Sequence, residues 1–104
     1  MPVNPHSYPH EKIGNGLRSL MAFGMPPEER IQAALVELRI AYGHNTPSGR
    51  ALEPWNRIQQ IIGHGSYPER AASMNASQRE DFAAAYWDLD RAISADYWEV
   101  EHTR

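Results

Sequence analysis

Two tryptophans and an arginine near the end of the chain have the residue types and spacing of a protein-binding surface. Trp87, Arg91 and Trp98 follow one another at intervals of four and seven residues. If the apolar stripe from Phe82 to Ile93 faces the core, a rotation of about 100° per residue turns Trp87 and Arg91 roughly away from it. Trp98 joins them if the helix continues that far. Because tryptophan, tyrosine and arginine are enriched at binding hot spots, we predict that these three side chains contact a partner.

Trp87 also has a second interpretation. The first ten residues of the chain, or the loop around Tyr67, could fold over the indole and make it part of a second core. Both interpretations fit the sequence, and the exposure of the ring in the folded chain distinguishes them.

A second candidate surface lies on the helix predicted for residues 27–42. Val36 and Ile40 cluster with Ala33 nearly opposite the main apolar stripe, which consists of Ile31, Leu35, Leu38 and Tyr42. A helix that is apolar on two sides is either sandwiched between neighbours or forms half of a partner interface. We expect the central position in so small a domain, with the interface as the alternative.

Acidic side chains are concentrated in the last third of the chain. Residues 71–104 contain seven Asp and Glu but three Arg, whereas residues 1–70 contain six acidic and seven basic side chains. These acids form either a solvated face or a docking surface for a basic partner, to which Asp88 and Asp90 would contribute. Such charge would raise the association rate and the specificity more than the affinity. Asp88 and Asp90 diverge by about 200° on a helix, so the two do not form a catalytic carboxylate pair by themselves.

The histidines and glycine pairs lack the patterns that enzymes and metal sites require. His6 and His10 have the spacing of zinc ligands on a helix, but Pro9 lies between them. The segments Gly14–Gly16 and Gly63–Gly65 neither follow a strand nor adjoin a lysine, as a nucleotide-binding loop would. We therefore predict a non-enzymatic protein with no cofactor and no metal, and keep a histidine-based metal site or minor enzyme as a further alternative.

The arginines do not form the basic stripe that nucleic-acid binding requires. The formal net charge is −3, and the arginines of the predicted second and third helices have acidic neighbours. Nucleic acid is therefore not the expected partner. A transcriptional regulator or nucleic-acid accessory protein that uses helices two and three as a helix-turn-helix-like pair remains the alternative function.

Composition limits the remaining classes. The chain has 104 residues, which suits one domain, and no cysteine, which excludes disulfides and thiolate metal sites. No apolar run is long enough for a transmembrane helix, and the N-terminus does not resemble a secretory signal, so we expect a cytoplasmic protein. Nine of the ten basic residues are arginine, which is typical of a GC-rich bacterial or phage genome.

The elements that must position these residues are helical. No alternating run of strand length appears, so we predict an all-α protein, either a compact four-helix bundle or an orthogonal helical array. An extended, Pro-rich N-terminal arm over residues 1–10 would precede a single helical domain over 11–98, and an acidic tail over 99–104 would follow it. The predicted helices cover 11–23, 27–42, 54–62 and 76–95. Pro54 either starts the third helix or kinks a longer one.

We expect the chain to be a small interaction module that binds another protein or its own copy. Trp87, Arg91 and Trp98 would carry this contact, with Val36 and Ile40 as a second patch. In its concrete form the hypothesis is an inhibitor from a phage or mobile element that occludes a host nuclease or nucleic-acid-binding protein.

Overall fold

The prolines at the beginning of the chain lead into a helix. In the computed structural model, which describes residues 3–103, α1 covers Ser7–Leu20. Pro9 is its third residue, and the first four N–H groups of a helix have no partner within it, so the missing N–H removes no hydrogen bond there. The predicted arm is therefore wrong for residues 7–10, and residues 1 and 2 lie outside the described part. The helix also ends at Leu20 rather than at residue 23.

A turn centred on Asn4 directs the chain into α1. The His6 backbone N–H donates to the Asn4 Oδ1 at 2.9 Å, and the Ser7 N–H donates to the Asn4 carbonyl at 3.1 Å. Asparagine side chains commonly form such turns. The segment before the helix is thus folded back and ordered by its own hydrogen bonds.

The second helix, α2, covers Pro27–Tyr42 and packs on α1. Pro27 occupies its first position, where its fixed φ suits the helix, and Glu28 and Glu29 lie in the first turn near the positive end of the helix dipole. The loop between α1 and α2 leaves Phe23 fully exposed. Phe23 therefore contributes nothing to the core.

Two shorter helices follow a 3-10 turn at Gly49–Ala51: α3 covers Leu52–Ile62 and α4 covers Tyr67–Ser73. Pro54 is the third residue of α3, so it lies in the first turn and does not kink a longer helix. Ser66 caps α4 by accepting a hydrogen bond from the Glu69 N–H at 3.3 Å. Helix α3 packs against the last helix, and α4 packs against α2.

The last helix, α5, is the longest element and covers Ala76–His102, 27 residues. Asn75 and Gln78 form a reciprocal capping box at its start. The sequence predicts an end at residue 95 and a separate acidic tail over 99–104. Instead, the helix continues through residues 99–102, where Asn4 donates to the Tyr97 carbonyl and Arg50 pairs with Asp96 and Glu99.

The core lies along the inner face of α5, which packs mainly on α1 and α3. Its largest fully buried side chains come from α1, α2, α3 and α5: Ile13, Leu35, Ile58, Phe82, Tyr86 and Leu89. The Tyr86 hydroxyl reaches across to α2 and donates to the Ala34 carbonyl at 3.4 Å. Burial raises the pKa of the Tyr86 hydroxyl well above its ordinary value, so Tyr86 remains a neutral donor.

The all-α prediction is confirmed for the described residues, in which no strand occurs. None of the helices in residues 3–103 combines the length and the apolar character that crossing a bilayer requires.

Candidate functional site

Both tryptophans of the predicted surface are half-exposed on α5. Trp87 exposes 47% and Trp98 51% of its surface, and Arg91 between them is exposed. An amphipathic helix in a small domain normally turns such rings inward. Among the residues that the structure describes, neither residues 3–10 nor the segment around Tyr67, which begins α4, encloses Trp87.

The tryptophans belong to a longer row of side chains that we call the outer stripe. Its members repeat at steps of four, three, four, four, three and four residues: Glu80, Ala84, Trp87, Arg91, Ala95, Trp98 and His102. At 100° per residue this row points about 170° away from the buried side of α5. All members are exposed except Ala95, which is partly buried. With a rise of 1.5 Å per residue the stripe extends over roughly 33 Å.

The segment of residues 4–10, which ends in the first turn of α1, packs against the C-terminal end of the stripe. His10 stacks on Tyr97, with ring centroids 4.3 Å apart and planes 8° from parallel. Trp98 meets the Tyr97 ring edge-on at 5.0 Å, and His102 lies 6.0 Å from Trp98. The rings of His10, Tyr97 and His102 restrict the orientation of the Trp98 indole while one side of it remains exposed.

A buried asparagine attaches this segment to α5. The Asn4 side chain is 3% exposed and donates to the Tyr97 carbonyl and to the Glu101 Oε1, both at 3.0 Å. The sequence did not indicate this contact, because its partners lie more than ninety residues away along the chain. The Asn-Pro pair at residues 4 and 5, which favours a turn, was the available local signal.

Several acidic side chains of α5 pair with arginines of the same chain. Asp88 contacts Arg57 of α3 at 2.7 Å, and Asp96 and Glu99 contact Arg50 at 2.9 and 2.6 Å. Hydrogen bonding to Glu99 and the nearby carboxylate charges raise the pKa of Arg50. Asp88 therefore helps to attach α5 to α3, and part of the acidic charge predicted for docking is neutralised within the chain.

Asp90 lies elsewhere, in an open groove of about 500 Å³ between α1 and α5. Ser94 and His10 line the same groove, with the Ser94 Oγ 3.3 Å from the His10 Nδ1. Burial raises the pKa of the Asp90 carboxyl, and the charges of His10 and Arg18 partly oppose this shift. A serine, a histidine and a carboxylate thus share one groove, but the long Ser94–His10 contact and the open groove offer little activation or exclusion of water.

Replacing Asp90 by asparagine is expected to stabilise the protein at pH 7. Because the folded state raises the pKa of this carboxyl, it binds the proton more tightly than the unfolded chain does, and the ionised form disfavours folding. Stability due to Asp90 should therefore rise as the pH falls through the raised pKa, and the advantage of Asp90→Asn should shrink. Urea unfolding at pH 7 and at a series of lower pH values measures both effects.

Asp88→Asn is the matched control for this prediction. It loses the contact with Arg57 and should lower the free energy of unfolding at pH 7 by up to about 1 kcal/mol, the range for exposed ion pairs. Equal signs for the two variants would contradict the assignment of Asp90 to a desolvated position.

Val36 and Ile40 form a separate patch on α2. They are 37% and 42% exposed. Val36 is about 200° around the helix from Ala34, whose carbonyl contacts Tyr86 of α5. The patch therefore faces away from α5 and does not join the outer stripe in one surface.

The histidines are dispersed rather than gathered into a site. Among residues 3–103, no three His, Asp or Glu side chains lie close enough together to share a metal ion. His10 and His102 instead contribute to the ring contacts around Trp98.

Comparison with known protein families, with curated proteins and with solved structures finds no match. The function must therefore be inferred from the geometry of the chain itself.

Proposed function

We propose that the protein is a small non-enzymatic interaction module that binds a protein partner through the outer stripe of α5. The observation that carries the proposal is the half-exposure of Trp87 and Trp98 on the side of α5 opposite the core. Large rings exposed along one row of a helix are the anchors that a protein partner covers.

The ring contacts around Trp98 support this role. His10 and Tyr97 limit the orientations of its indole before any partner arrives. A side chain that is already ordered loses less conformational entropy on binding, which favours affinity. Residues 4–10 thus support the binding surface and leave about half of Trp98 exposed.

The charges favour a protein over a nucleic acid as the partner. Arg50 and Arg57 are paired with carboxylates of α5, and Asp88 and Glu99 lie along one edge of the stripe. A phosphate backbone would have to approach these carboxylates and would find few unpaired cations beside Arg91. For the same reason the acidic charge contributes less to selecting a basic partner than the amino-acid composition alone predicts.

Site-specific photo-crosslinking tests the proposal. A photoreactive amino acid at position 91 should produce a covalent adduct with protein in cells of the native host. The same amino acid at Gln59, which is exposed on α3, should not. Adding Trp87→Ser and Trp98→Ser should abolish the adduct at position 91, while circular dichroism shows an unchanged helical content.

The two possible results of the cross-linking experiment lead to opposite conclusions. An adduct that needs both tryptophans supports the proposal, and mass spectrometry of the adduct identifies the partner. No adduct at position 91, or one that persists without the tryptophans, overturns it.

A further inference from the structure

The outer stripe has an internal symmetry that points to its partner. We propose that the partner is a second copy of this chain, a proposal that rests on the proposed function. The two α5 helices pack antiparallel, with Arg91 on the two-fold axis. In such a pair, two residues are opposite each other when they lie equally far on either side of the axial residue.

The side chains that this arrangement pairs are complementary in size. Trp87 and Ala95 lie four residues from Arg91 in opposite directions, so each Trp87 faces an Ala95 of the other copy. Ala84 and Trp98 lie seven residues from Arg91, so each Trp98 faces an Ala84. Each indole therefore meets a methyl group across the interface, and large side chains opposite small ones are what close helix packing requires.

The side chains at the two ends of the stripe are complementary as hydrogen-bonding groups, since a carboxylate accepts and an imidazole N–H donates. Glu80 and His102 each lie eleven residues from Arg91, so a carboxylate faces an imidazole at both ends of the interface. Both side chains are exposed, and the His102 ring already lies beside Trp98. Three independent pairs thus agree on one register. If one helix were shifted by one turn along the other, none of these three pairs would form.

Arg91 opposes the pairing, since two like charges meet on the axis. The Asp88 carboxylate one turn away is held by Arg57, so it offsets this repulsion only in part. Arg91 is exposed and can extend its charge toward water along the edge of the helix pair. Arg91→Leu should therefore strengthen the dimer, whereas a generic arginine hot spot predicts weaker binding.

The interface is small, so the dimer should be dependent on concentration. Seven residues of each copy form the contact, compared with about 20–30 residues on each side of a standard stable interface. Sedimentation should show the molecular mass doubling as the protein concentration increases through the micromolar range. Trp98→Ser should remove this increase, and Val36→Ser, on the other surface, should not.

Single cysteines test the register, because the natural sequence contains none. Position 91 faces itself, so Arg91→Cys should form a disulfide-linked dimer under mild oxidation. Gln59→Cys is the matched exposed control. Thiols held together in a dimer react at effective concentrations of roughly millimolar, so we expect cross-linking at position 91 to be at least about tenfold faster than at Gln59.

A mixture of two cysteine variants tests the pairing at the ends of the stripe. Glu80→Cys and His102→Cys should each cross-link poorly alone and efficiently when the two variants are mixed, because each position faces the other. Cross-linking of Glu80→Cys with itself would overturn the register. Equal rates for Arg91→Cys and Gln59→Cys, together with a monomer at every concentration, would overturn the dimer.

Failure of the dimer is distinguishable from failure of the proposed function. If the photo-crosslinked adduct at position 91 contains a different protein and the purified chain stays monomeric, self-association is wrong and the interaction surface stands. If position 91 yields no adduct of either kind, both proposals fall.

Discussion

Replacing Phe82 by alanine is expected to lower the free energy of unfolding by about 3–5 kcal/mol, the range for removing a fully buried aromatic ring. Phe82 has no exposed surface, and its ring lies 5.8 Å from the ring of Tyr86 at the centre of the core. The lost burial and the remaining cavity both contribute to the effect. Urea unfolding followed by circular dichroism measures it.

The other phenylalanine of the chain is the matched control. Phe23 lies outside the helices and is fully exposed. Phe23→Ala should therefore change the free energy of unfolding by no more than about 0.5 kcal/mol. Similar losses for the two variants would mean that the core is not arranged around the inner face of α5.

The contrast between these two rings shows what periodicity predicts. Phe82 belongs to a stripe that repeats with the period of a helix, and the structure buries that stripe. Phe23 lies just before Gly24, whose φ of +80° belongs to the turn after α1. The first helix predicted from sequence, residues 11–23, includes Phe23. An apolar residue near a helix end fits the helical pattern whether or not the helix has already ended.

The N-terminal prolines show where local rules fail. A proline disfavours the helical conformation in the residue before it, which argues for an extended arm. Pro9 nevertheless lies in the first turn of α1, because Asn4 and His10 make contacts with Tyr97 that only the folded chain brings together. Packing over a separation of more than eighty residues thus outweighs a local preference.

The sequence likewise predicts one part of the candidate site and not the other. The outward direction of Trp87 and Trp98 follows from the rotation per residue along one helix, so it was accessible from sequence. The ion pairs of Asp88 and Glu99 with arginines could not be predicted from sequence, because these arginines lie 31 and 49 residues away in the chain. The negative charge counted from the amino-acid composition is therefore larger than the unpaired negative charge that a partner would contact.

Replacing Gly16 by alanine should destabilise the protein by about 2 kcal/mol, the middle of the range for overpacking a core. Gly16 is buried in α1, and a Cβ added there would overlap the hydroxyl and the adjoining ring carbon Cζ of Tyr86. Tyr86 has no exposed surface and donates to the Ala34 carbonyl, so it cannot move aside without losing that contact. The better helix propensity of alanine, about 1 kcal/mol, offsets only part of this strain. Thermal and urea unfolding measure the difference.

Gly14, two residues earlier in the same helix, is the control with the opposite sign. A Cβ there would approach only the end of the Arg18 side chain at 3.8 Å, an ordinary contact. Gly14→Ala should therefore stabilise the protein by about 0.5–1 kcal/mol. A double-mutant cycle then attributes the effect at Gly16 to Tyr86. Tyr86→Phe removes the oxygen, which overlaps the new methyl most, and leaves the ring carbon Cζ, so Gly16→Ala should be less harmful in that background but still destabilising. An equal loss in both backgrounds would show that the tyrosine hydroxyl is not what requires a glycine at this position.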